Sequence, residues 1–148
     1  MRIIIQRVKE AKVLDRDKKT VVGQIKSGLL VLLGIKKGDT KKEVDYLTEK
    51  LSKLRIMSDE NEKMNLSIKD VNGEILVVSQ FTLYGDTKGQ NRPSFINAEE
   101  PEKARELYDY FIDVLKGKEI KVEKGSFGNY MEIISVLDGP VTIIIDSN

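Results

Sequence analysis

The sequence predicts a single α+β domain over residues 1–148, mostly antiparallel strands with two helices. Three observations lead there. No linker, repeat or low-complexity stretch divides the 148 residues, a length that fits one core buried without disulfide or metal staples. Runs of β-branched and aliphatic residues bounded by turn signals recur along the chain. Two segments carry apolar residues at helical spacing.

The opening RIIIQRVKEAKVL is long enough for a bent strand, and TVVGQI, after the turn DRDKK, reads as its hairpin partner. KSG turns the chain into LLVLLGI, whose unbroken apolar run predicts a strand covered on both faces. In DTKKEVDYLTEKLSKLRI, Val44, Leu47, Leu51 and Leu54 recur at helical spacing, and Thr40 with Glu43 forms a capping-box pattern. The polar stretch that follows has no assignable element around Lys63, Met64 and Asn65, but Asn72-Gly73 signals a turn into the strand EILVVSQFTLY. Pro101 opens a second helix with Ala104, Leu107, Tyr108, Phe111 and Leu115 on its apolar face and Gly117 at its end. MEIISVL and VTIIID read as two closing strands joined by Asp138-Gly139-Pro140.

Composition narrows the chemistry. The chain has no cysteine and no histidine, which excludes a Ser-His-Asp triad, a Cys-His pair and nearly every transition-metal site. Catalysis must therefore use hydroxyls, carboxylates, lysines, backbone groups or the substrate itself, with no cofactor and no metal expected. No apolar run is long enough to cross a membrane and no leader is evident at the start, so a soluble cytoplasmic protein is expected. A net charge of +1 is too small to hold duplex DNA by counterion release. Lys116, Lys118, Lys121 and Lys124 cluster all the same, as a solvated surface or a local RNA patch.

Four features carry candidate chemistry. In EILVVSQFTLY, alternation places Gln80 and Thr82 on one face and Ser79 and Phe81 on the other, so polar groups emerge where the strand leaves the core and a pocket can open. The alternative is that Ser79, Gln80 and Thr82 merely satisfy backbone groups at a strand end. Gly139-Pro140 can bring bare carbonyls close to another group, in a cis bond or in an ordinary turn; Thr142 follows in the last strand. Phe127, between two glycines and near Met131, is either a stacking platform for an unpaired base or a core anchor. Arg7 follows Ile3 and Ile5 on one strand face, which draws its guanidinium inward toward carbonyl or carboxylate partners.

The blocks MRIIIQRV, GLLVLLGI, SQFTLYGDTKGQNRPSF and GSFGNYM with DGPVTIII, in this order, resemble the D-aminoacyl-tRNA deacylases, also called D-tyrosyl-tRNA deacylases. SQFTL combined with a downstream GPVT is highly specific. One position departs: Leu137 stands where the family usually has asparagine, two residues before the glycine of GPVT.

The resemblance implies a barrel-like, mostly antiparallel sheet with two main helices, in a homodimer. Its reaction would be hydrolysis of the ester between a D-amino acid, and glycine, and the 3′-terminal ribose of tRNA. Gly139 and Pro140 would form a cis pair that enters the partner's site and rejects L-residues, held by Arg7. Phe127 and Met131 would lie near the terminal adenosine, with Thr142 in the substrate-binding set. Ser79, Gln80, Phe81 and Thr82 would form the catalytic strand end, the Phe81 and Thr82 N–H groups serving as oxyanion donors. Without a histidine to activate Thr82, water assisted by the ribose 2′-hydroxyl is the preferred nucleophile. The competing reading is a noncatalytic homodimer that binds the aminoacylated 3′ end of RNA.

Overall fold

A computed structural model describes residues 1–147. Strand β1 (Arg2–Asp15) organises the sheet. Its first half pairs antiparallel with β3 (Gly28–Gly34) and its second half with β2 (Thr20–Ile25). Along its other edge runs the long strand β8 (Met131–Asp146). From β3 the sheet continues through β6 (Glu74–Ser79) to β7 (Lys121–Lys124), giving the order β2-β1-β3-β6-β7 with β8 on β1. The pairings of β1 are antiparallel, whereas β3 with β6 and β6 with β7 are parallel. The sheet curls until β2 and β7 nearly meet: a Cβ on Gly23 would lie 2.5 Å from the Lys124 carbonyl oxygen. That approach makes the sheet barrel-like.

Both faces of β3 and β6 are covered, as their unbroken apolar runs require. Leu29, Val31, Leu33, Ile75 and Val77 face the helices, where Ile3 and Ile5 join them. Leu30, Leu76 and Val78 face the inside of the curl with Val8, Ala11, Val13 and Ile25. β1 serves both cores because its alternation slips beyond Arg7, where its register against β8 shifts.

Helix α1 (Lys41–Lys53) begins at the Thr40 cap, with the Glu43 carboxylate accepting the Thr40 N–H at 2.7 Å, the reciprocal pattern that the sequence suggests. Helix α2 (Pro101–Gly117) has proline in its first turn and buries Leu107, Tyr108, Phe111, Ile112 and Leu115 against the sheet. Phe111 is 0% exposed, a site where truncation to alanine costs about 3–5 kcal/mol. The buried Tyr108 hydroxyl donates to the Val77 carbonyl at 2.8 Å, locking α2 to β6.

Two expectations need correction, and two elements went unread in the sequence. The strand EILVVSQFTLY stops at Ser79, and Phe81–Tyr84 forms a 3-10 turn, so the alternation read through Thr82 does not hold there. The two closing strands are one run, since both halves pair with β1 and residues 138–141 bulge out between them. The unassigned stretch holds a short hairpin, β4 (Met57–Ser58) with β5 (Met64–Leu66). β7 lies within the lysine cluster, and of its own four residues only Val122 is buried.

Candidate active site

Burial ends along β6 between Val78, which is buried, and Ser79 and Gln80, which are half-buried. The Gln80 N–H still reaches the Leu33 carbonyl at 2.8 Å, after which the chain tightens into the 3-10 turn. Its first internal bond runs from the Leu83 N–H to the Gln80 carbonyl, 3.2 Å. The opening N–H groups of such a turn have no internal acceptor. Among the described residues, the Phe81 and Thr82 N–H groups indeed have no hydrogen-bond partner. The Gln80 side-chain amide donates to the Thr82 hydroxyl, which holds that side chain across the start of the turn.

Beside this turn opens a cavity of about 660 Å³ whose wall includes Ser79, Gln80, Phe81, Phe127 and Met131. Phe81 is exposed and meets the edge of Phe95, centroids 5.1 Å apart. Phe127 packs on buried Tyr108, centroids 5.4 Å apart, as a core anchor would, and it also lines the cavity. The Arg105 guanidinium lies 4.8 Å above its ring and donates to its carbonyl at 3.3 Å. Gly128, with φ of +80°, supplies the left-handed residue that turns the chain after Phe127. The Ser126 N–H reaches the Met131 sulfur at 3.2 Å.

Two wall residues escaped the sequence reading. Phe95 is signalled only as the last residue of its motif. Glu99 is a nearly buried carboxylate at 6% exposure. Lys103, the Gly38 N–H and the Glu100 N–H hold its pKa down to about 2.

The other predicted site residues lie elsewhere. The Gly139-Pro140 peptide is cis, and Gly139 has φ of +125°. Gln6 pairs with Thr142 and Val8 with Leu137, so residues 138–141 stand opposite Arg7 alone. Arg7 is buried and fills that gap. Its guanidinium donates to the Asp138 carbonyl at 3.2 Å, the Ile56 carbonyl at 2.9 Å and the Ser58 hydroxyl at 3.2 Å, and it pairs with the Asp138 carboxylate at 3.2 Å. Thr142 is exposed beside it. Arg7 and Asp138 line a separate cavity of about 330 Å³, and neither Gly139 nor Pro140 lines the larger one. Thr82 sits at the turn outside that wall. One chain thus carries two separate groups of candidate site residues. Gly139 and Pro140 are exposed, and so are Ile134, Val136, Leu137 and Ile144 on the same strand. Three clustered lysines are already paired: Lys118 with Glu49 at 2.5 Å, Lys121 with Glu74 at 2.6 Å and Lys124 with Asp109 at 3.2 Å. A solvated surface therefore describes that cluster better than a phosphate patch.

Comparison with known proteins supplies the class. The sequence family described as D-Tyr-tRNA(Tyr) deacylase matches residues 4–146, which places the chain among hydrolases of aminoacyl-tRNA. A D-aminoacyl-tRNA deacylase of Thermotoga petrophila is 53% identical over 148 residues, covering 100% of this chain and 98% of that one. One from Fusobacterium nucleatum is 53% identical over 147 residues, 99% of this chain and 96% of that one. The chain belongs to the D-aminoacyl-tRNA deacylase family. Among solved structures, a c-Myc DNA unwinding element binding protein superposes with a TM-score of 0.92 at 37% identity, covering 100% of this chain and 99% of that one. A probable eukaryotic D-amino acid tRNA deacylase superposes with 0.82 at 18% identity, covering 97% of each, a likeness of fold alone.

Proposed function

We propose that the family reaction, hydrolysis of the ester between a D-amino acid and the 3′-terminal ribose of tRNA, runs in a composite site built by two copies of this chain in the cytoplasm. The observation that carries this reading is the separation just described: Phe81, with its free N–H, lines one cavity and Thr82 follows it in the turn, while the exposed cis Gly139-Pro140 pair stands outside that cavity. A second copy brings the two together. The exposed apolar residues of β8, on a strand that pairs only with β1 among the described residues, supply a surface for that copy.

In the composite site the ester carbonyl oxygen takes the Phe81 and Thr82 N–H groups. Water attacks the carbonyl carbon, and these donors receive the negative charge that gathers on the oxygen. Losing one such donor typically raises a barrier by about 2.7–4 kcal/mol. The vicinal 2′-hydroxyl of the ribose assists the water, because the chain has no histidine to serve as base. The tetrahedral intermediate collapses by breaking the bond to the ribose 3′-oxygen, which leaves with a proton. Ser79, Gln80 and Thr82 position the ester, and Phe127 and Met131 take the terminal adenosine. Duplex DNA has no place in this reading, since 25 basic residues against 24 acidic ones leave almost no net field.

Selectivity comes from main chain. The partner's Gly139-Pro140 carbonyls accept the α-ammonium of a D-residue, while an L-residue in the same pose turns its side chain onto them. Glycine has no side chain to clash and is cleaved. Removing D-amino acids and glycine from tRNA makes this a chiral proofreading activity that returns free tRNA to translation.

Amino acid release from D-tyrosyl-, glycyl- and L-tyrosyl-tRNA, measured side by side, tests the proposal. Rapid release of D-tyrosine and glycine with very slow release of L-tyrosine is expected. Binding without release would establish the noncatalytic alternative, and equal D and L rates would remove the backbone selector.

A further inference from the structure

Asp15 ends β1 with a side chain 0% exposed to solvent, and the proposed reaction makes no use of it. One carboxylate oxygen accepts the Asp17 and Lys18 N–H groups, both at 3.0 Å, which shapes the turn into β2. The other accepts the Asn129 side-chain amide at 2.7 Å, and the same amide reaches the Ser126 hydroxyl at 3.2 Å. The Lys18 ammonium lies 3.6 Å away. Hydrogen bonding from Ser126, Asn129 and Lys18 holds the Asp15 carboxyl well below the usual carboxylate range. A buried charge persists only where it is paired and hydrogen-bonded, and here the partners beyond the turn come from the loop around Phe127. Ser126 and Asn129 bracket that residue. The Arg16 N–H then donates to the Tyr130 carbonyl at 3.0 Å, and Asp15 itself stands opposite Met131 in the β1–β8 ladder.

We propose that Asp15 is a positioning residue for the terminal nucleoside of the substrate: through Asn129 and Ser126 it fixes the loop that holds Phe127 and Met131 in the cavity wall. The inference rests on the proposed function, in which that wall receives the terminal adenosine. Asp15 touches neither the ester nor the oxyanion donors. Its loss therefore weakens substrate binding and leaves the chemical step in place, raising KM with kcat little changed.

The test compares Asp15→Ala, Asn129→Ala and the exchanged pair Asp15→Asn with Asn129→Asp, in the full chain. The exchange trades amide for carboxylate and so remakes the bond between the two positions in reverse. D-tyrosyl-tRNA kinetics and hydrogen exchange of amides 126–131 are the readouts. Losing a charge-assisted hydrogen bond predicts a KM roughly tenfold higher with kcat within about twofold, faster exchange in the loop for both alanine variants, and recovery of both readouts in the exchanged pair. Should Asp15→Ala fail to fold, Asn129→Ala and the exchanged pair decide the matter by the same two readouts. An unchanged KM in folded alanine variants, or an exchanged pair that folds without recovering, would overturn the proposal. Absence of D-tyrosine release by the unaltered chain would instead sink the proposed function, and loop exchange would then decide the role of Asp15 alone.

Discussion

The Arg7 guanidinium donates to the carbonyl of Asp138 at 3.2 Å while pairing with the same residue's carboxylate at 3.2 Å. It therefore grips, through both main chain and side chain, the residue immediately before the cis Gly139-Pro140 pair. The same guanidinium reaches the Ser58 hydroxyl in β4 and the Ile56 carbonyl just before it, so the pair is anchored to the hairpin of β4 and β5 as well as to β1.

Arg7→Lys should lower D-tyrosine release at least tenfold while the protein stays folded. An ammonium cannot reproduce a planar fork spanning acceptors on two segments, Asp138 on one and Ile56 with Ser58 on the other, and each unsatisfied buried acceptor costs about 1–3 kcal/mol. Release rates beside circular dichroism check this; near-normal activity in the lysine variant contradicts it.

Gly139→Val should damage cleavage of D-tyrosyl- and glycyl-tRNA alike. With φ of +125°, Gly139 occupies backbone that L-residues avoid, and a Cβ would lie 2.8 Å from a Val141 methyl and 3.0 Å from the Val141 nitrogen. The selecting carbonyls must shift, so the measured D:L ratio falls together with the rate. A valine variant retaining both contradicts the backbone selector.

Thr82→Ala should slow single-turnover cleavage less than removal of the substrate's terminal 2′-hydroxyl. The alanine variant keeps its N–H donor and loses only a hydroxyl held by Gln80, whereas the deoxy substrate loses the group assigned to assist water. A dead alanine variant alongside normal cleavage of the deoxy substrate makes Thr82 the nucleophile.

Acid should weaken the fold partly through Glu99. Its carboxyl is held near 2 in the folded chain, first by Lys103 and then by the Gly38 N–H, against about 4.3 when unfolded. A depressed folded value contributes stability that is complete above the unfolded pKa and is lost as pH falls through the folded one. Glu99→Gln should therefore flatten the stability–pH slope between about pH 4.5 and 2. Some slope remains, because Lys118 and Lys53 hold Glu49 down to about 2 as well. An unchanged slope in urea titrations across that window contradicts the assignment.

Local signals were the legible ones. Thr40 with Glu43, Pro101 and Asn72-Gly73 each define a boundary through short-range sterics and hydrogen bonding, and the chain obeys them. FTLY misleads because aromatic and β-branched residues have strand character, yet beyond Ser79 the chain leaves the buried sheet and closes on itself. KVEK conceals β7 because its lysines are solvent-facing partners of Glu74 and Asp109. The closing run reads as two strands joined at Asp138-Gly139-Pro140 because Asp-Gly-Pro is turn chemistry, whereas both flanks extend one ladder on β1. The parallel pairing of β3, β6 and β7 is a long-range choice with no local signature. Within the candidate site, Ser79, Gln80, Phe81, Phe127 and Met131 were legible as motif residues and line one cavity. Asp15 was not, since a single carboxylate before a charged turn looks like surface until its partners are seen.

The composite site is tested most directly by mixing two defective variants. Phe81→Pro removes one oxyanion donor at the opening of the 3-10 turn, and Gly139→Val removes the selector. Each alone should release little D-tyrosine. After subunit exchange at equal concentrations, about half of the dimers carry one of each chain and one of their two sites is intact, so roughly a quarter of normal activity should return. Mixtures proven to contain the mixed dimer but no more active than the separate variants would contradict the composite site, as would full activity from a verified monomer.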